Sequence, residues 1–163
     1  MAVSSSNISM NLGWSMSESV TGFSARTQGP DSNTFMILPG TAAYNILYSA
    51  QHTIASNGGL VTINFNAFTD LLNTSVTSTK VLAIMIQTTG NKIKLSPGAA
   101  DPLVWFFGGA TESITIQAGG AMVFYNGDVS SAVSNTVKNL LLTNTGATGT
   151  PNSIVKVTIL GGT

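Results

Sequence analysis

A chain of 163 residues without cysteine is long enough to hide about two-thirds of its unfolded surface and needs no staples. It excludes disulfide frameworks, thiolate metal sites and cysteine nucleophiles. Only 7% of the residues are charged, six basic against six acidic, for a formal net charge of zero, where ordinary soluble domains carry about 25%.

The polar surface is therefore built from Ser, Thr, Asn and Gln. Such a surface does little to hold copies of the chain apart, which suits a subunit that sits beside its own copies. It also lacks the dense basic patch that phosphate binding requires, so nucleic acid is not an expected partner. Met1 to Ser6 shows neither the basic stretch nor the apolar run of a signal peptide, and no apolar stretch is long enough to span a bilayer, so a membrane is not expected either.

The hydropathy pattern has period two almost throughout. Ile8, Met10, Leu12, Trp14 and Met16 alternate with small polar residues, which predicts a long N-terminal strand with one apolar face. Ser19 to Asn33, with Gly22, Gly29 and Pro30, reads as a loop or extended arm, and Thr34 to Leu38 as a short strand closed by Pro39-Gly40. Ala43 to Ile54 reads as a strand carrying Tyr44, Ile46 and Tyr48 on one face, with a helical turn as the competing assignment. Val61, Ile63, Phe65 and Ala67 mark a half-buried strand, and Phe68 to Asn73 one turn of helix.

Val81 to Gln87 is apolar without interruption, as in a central strand covered on both faces. A tight turn at Thr88 to Asn91 then predicts a hairpin with Lys92 to Leu95. Pro102 to Phe107, Ser113 to Gln117 and Ala121 to Tyr125 follow as short strands. Val137 to Thr143 is expected to pair with Ile154 to Leu160. Nine to eleven short strands with regular turn signals and no fixed repeat indicate an all-β, antiparallel sandwich of jelly-roll type. The expected organisation is a single domain over 1–163, with residues 1–33 as an N-terminal strand plus an extended arm that contacts neighbouring subunits.

Titratable groups are sparse. His52, the single histidine, could act as a base beside Asp70 or Asp101, but a structural role fits its Tyr/Ile/Leu-bearing segment better. One imidazole does not make a zinc site. The acids Glu18, Asp31, Asp70, Asp101, Glu112 and Asp128 are scattered singly, and Asn126-Gly127-Asp128 is a hairpin turn before it is a calcium loop. No G-x-S-x-G elbow appears. The expectation is a protein that is not an enzyme, with no catalytic, metal-ligating or cofactor-binding residues. Trp14, Trp105, Phe106 and Phe107 could form a sugar-stacking platform, although core or interface packing accounts for them more simply.

The run Glu112 to Tyr125 (ESITIQAGGAMVFY), then Leu140 to Thr145 (LLLTNT), then Val155 to Leu160 (VKVTIL), resembles small virion proteins of tailed bacteriophages. In those proteins a strand passes through a short Ala-Gly turn to a second strand, then to one bearing L-x-N-T-G, then to a final strand. The alternating strand soon after Met1 fits the same layout. The resemblance implies a β-sandwich or jelly-roll subunit of a capsid or tail, acting as decoration, cement or minor structural protein. It also implies assembly in the host cytoplasm, a place in the virion, and partners that are copies of itself and other virion proteins. Ile8, Met10, Leu12, Trp14 and Met16 are the expected intersubunit contact. The competing reading is a carbohydrate-binding or adhesive β-sandwich on a fibre or cell surface, with a glycan as its partner.

Overall fold

The computed structural model describes residues 6–12, 16–18, 26–28, 31–37, 46–69, 75–104, 106–125 and 132–163, with side chains from Ile46 onward except that of Leu47. All regular structure among them is strand, and every ladder is antiparallel. The chain divides into two compact units, residues 2–42 and 43–163.

In the first unit β1 (Ser6–Leu12) pairs with β4 (Asp31–Ile37), and β2 (Met16–Glu18) pairs with β3 (Arg26–Gln28). Ser6 faces Ile37, Leu12 faces Asp31, and Met16 faces Gln28, so both ladders follow one long hairpin whose register steps by one residue between them. The Ser19 to Asn33 stretch, expected as loop or arm, contributes β3 and the start of β4 to this ribbon.

The second unit holds β5 (Ile46–Ile54), β6 (Leu60–Asn64), β7 (Phe68–Thr69), β8 (Ser75–Val76), β9 (Lys80–Thr89), β10 (Ile93–Pro97), β11 (Ile114–Ile116), β12 (Ala121–Tyr125), β13 (Asn139–Asn144) and β14 (Ser153–Gly162). One sheet is ordered β12-β9-β14-β5 and the other β11-β10-β13-β6, with β7 and β8 forming a separate short pair. Of the eight sheet strands the first pairs with the last, β5 with β14. The second pairs with the seventh, β6 with β13; β9 pairs with β12, and β10 with β11. This nested hairpin, rolled so that its arms fall in two sheets, is the jelly roll expected from the strand pattern.

Alternation decides which side chains enter the core. Val155, Val157 and Ile159 of β14 point inward while Ile154 and Lys156 point out. Across the sandwich Leu140 and Leu142 of β13, Ile93 and Leu95 of β10 and Ile63 of β6 supply the opposing layer. Val81 to Ile84 of β9 are buried without alternation, in keeping with a strand flanked by β12 and β14 and covered on both sides.

Four local expectations are corrected. The competing helical turn over Ala43 to Ile54 is not formed from Ile46 on, where β5 runs extended. Phe68 begins a short strand, not a helix; the rest of that expected turn, up to Asn73, lies outside the described residues except for Thr69. Neither predicted hairpin forms: β9 and β10 lie in different sheets, as do β13 and β14, and each pairs with other strands instead. Pro102 to Phe107 is not a strand. Among its described residues Pro102 is bridged to Asn139 and Leu103 N–H donates to Asn139 O, after which Phe107 N–H donates to Val104 O. Its apolar residues serve the core as a plug, Leu103 being fully buried and Phe107 nearly so.

Candidate functional site

β5 is an edge of one sheet and β6 an edge of the other. They are consecutive in the chain, joined by a turn in which Asn57 and Gly58 adopt positive φ of 60° and 81°. That turn is anchored on the loop after β13, since Asn57 N–H donates to Gly146 O and Gly58 N–H to Asn144 O. No ladder joins β5 to β6, so the sandwich is open along this seam.

The seam holds an open cavity of about 340 Å³ lined by Tyr48 and His52 of β5, Thr62, Ile63 and Asn64 of β6, Ala67, and Phe68 and Thr69 of β7. Tyr48 and His52 are four residues apart on an extended strand and therefore share a face, the one that also carries Ile46 and Ile54 into the core. At the sheet edge that face is only half covered, and both rings are half-buried. Tyr48 Oη and His52 Nε2 lie 3.3 Å apart in a hydrogen bond whose direction follows the imidazole tautomer. The Tyr48 ring meets Phe68 with centroids 4.9 Å apart and planes inclined by 43°. Asn64 Oδ1 accepts the Asn66 N–H at 2.9 Å, which fixes the side-chain amide. Burial pushes the His52 imidazole below its usual value, and pushes the Tyr48 phenol up, because both charged forms lose hydration there.

Of the carboxylates considered for His52, Asp101 is held by Lys138 at 3.2 Å, and Asp70, next after Thr69, lies outside the described residues. Among the described residues no three His, Asp or Glu side chains gather as metal ligands, and no helix is long and apolar enough to cross a membrane. Phe106 and Phe107 stack on one another at 4.2 Å, and Phe106 meets Phe124 at 4.3 Å, so they pack with the core and form no surface platform. Trp14 and Trp105 lie outside the described residues. Of the expected intersubunit stripe, Ile8, Met10 and Leu12 fall on β1 and Met16 opens β2.

Sequence reasoning placed Tyr48 on a strand face and weighed His52 alone. The spacing of Tyr48 and His52 was sufficient to put them on one strand face, and the structure adds the contact between them. Phe68 carried no such signal, since it arrives through the short β7–β8 pair.

No protein-family model matches the chain, and no curated protein does. Among solved structures, the crystal structure of PirA is similar with a TM-score of 0.41 at 15% identity, over 69% of this chain and 93% of that one.

Proposed function

We propose that this protein is a structural subunit of a multi-copy particle, a virion protein of the decoration, cement or minor capsid or tail kind. It acts through contacts with copies of itself and with other virion proteins, without catalysis.

The observation that carries this reading is the ribbon of β1 to β4, which belongs to the compact unit of residues 2–42. A two-stranded ribbon is marginal in water unless one face is covered. Its register sets Ile8 opposite Phe35, Met10 opposite Asn33 and Leu12 opposite Asp31, so Ile8, Met10, Leu12, Phe35 and Ile37 fall at positions of one face, with Met36 at a position of the other. A repeated subunit can cover such a face against a neighbour, and repetition across a symmetric lattice multiplies individually weak contacts. The near-absence of charge supports the same reading, because nothing in the composition repels like copies.

Light scattering at two protein concentrations tests it. The expected mass is a multiple of the monomer, falling to the monomer in the double variant Met10→Lys, Leu12→Lys while far-UV circular dichroism stays unchanged. A monomer at both concentrations in the unmodified protein would remove self-assembly from the proposal.

A further inference from the structure

We infer that the seam between β5 and β6 is a binding site for a neutral sugar ring, such as the terminal residue of a glycan. This stands apart from the assembly reading and rests only on the jelly-roll unit.

The size of the site comes first. An open cavity of about 340 Å³ lies at the small end of ligand sites, which run from roughly 300 to 1,000 Å³. It suits one ring or two, not an extended chain laid through it.

The lining narrows the chemistry. Tyr48 and Phe68, both half-buried, line the seam with their rings in contact, centroids 4.9 Å apart and planes inclined by 43°. A pyranose presents a flat C–H face that packs on aromatic rings, while its hydroxyls at the rim need donors and acceptors together. Thr62 and Thr69, both exposed, supply hydroxyls, Asn64 supplies an oriented amide, and His52 supplies a ring nitrogen. Desolvation holds the imidazole neutral near pH 7, so it has one donor and one acceptor nitrogen.

Other occupants fit less well. No Lys or Arg lines the cavity among the described residues, and a nucleotide phosphate calls for cationic donors. A purely apolar ligand would strip water from Thr62, Asn64, Thr69 and His52 without replacing its hydrogen bonds, which is unfavourable. A neutral ring with hydroxyl groups satisfies both the aromatic floor and the polar rim.

The single histidine makes the test direct, because in deuterated water its Hε1 proton gives one signal that can belong to no other residue. The full-length protein is titrated with neutral monosaccharides, including galactose, mannose, N-acetylglucosamine and N-acetylgalactosamine, and separately with adenosine monophosphate. At least one sugar is expected to shift the His52 signal in a saturable manner and to receive saturation transfer at its ring C–H protons. Phe68→Ala should weaken that binding about tenfold. Thr62→Val, at an exposed position, should weaken it severalfold with the fold intact by circular dichroism. If no sugar in the panel moves the His52 signal, or if binding survives both substitutions unchanged, the assignment fails. A response to adenosine monophosphate with none to the sugars would likewise overturn it.

Discussion

Asn144 is fully buried, yet it is polar and lies at the end of a strand whose other inward residues are leucines. Its Nδ2 donates to Ile54 O at 3.0 Å and its Oδ1 accepts the Gly146 N–H at 2.8 Å, tying the end of β5 to the loop after β13. Asn144→Ala takes a donor from the buried Ile54 carbonyl, at about 1–3 kcal/mol, and an acceptor from the part-buried Gly146 N–H, at less. The expected loss of unfolding free energy is therefore about 3 kcal/mol in a urea titration, and Asn144→Leu does not restore it. His52 bears on stability through pH. Its folded value lies below the unfolded one, so the folded chain binds the proton less readily. The stability linked to this group is fully present above the unfolded value of about 6.5 and falls as pH drops from there through the lowered folded value. There is one histidine, and carboxylates titrate near 4. The urea midpoint should therefore decline between pH 7 and pH 5 in the native protein and stay level in His52→Gln. At this scale the site was half legible: Tyr48 and His52 follow from strand spacing, whereas Phe68 is brought in by tertiary approach alone.

The strands themselves were easier to read than their pairings. β13 and β14 announce themselves by alternation, Leu140 and Leu142 in the one and Val155, Val157 and Ile159 in the other. Nothing local says that β14 will lie between β5 and β9, because those ladder partners are far away in the sequence. Turn grammar instead favours neighbours, and so it suggested hairpins where the chain in fact crosses between sheets. The crossing from β9 to β10 passes through Gly90, whose φ is +90°. A Cβ there would also run into the Asn152 carbonyl oxygen. Gly90→Ala should cost about 2–3 kcal/mol, since backbone strain of this kind is worth 1–3 kcal/mol before any steric shift is added. Thermal denaturation would show it, and an unchanged midpoint would mean that the corner relaxes freely. Pro102 to Phe107 misled for a related reason: a plug and a central strand are both continuous apolar runs, and only the ladder distinguishes them.

For the molecule as a whole, every residue of the main core cluster falls between Ile54 and Ile159, within the jelly-roll unit. Residues 43–163 alone are therefore expected to unfold in a single cooperative transition in urea, with coincident fluorescence and circular dichroism curves. A broad or probe-dependent transition would overturn that expectation. The nested pairing also sets the order in which the protein can be made. β5 has one sheet partner, β14, and Ile54 faces Ser153 across that ladder. At 5–20 residues per second, β5 has left the ribosome for about 5–20 s before its partner is synthesised. Among the eight strands of the two jelly-roll sheets, only β10 and β11 are consecutive partners that can close soon after they emerge. The two strands that flank the seam are thus among the first made and the last paired, and they spend that interval as open edges on a chain with almost no charge to keep them from one another.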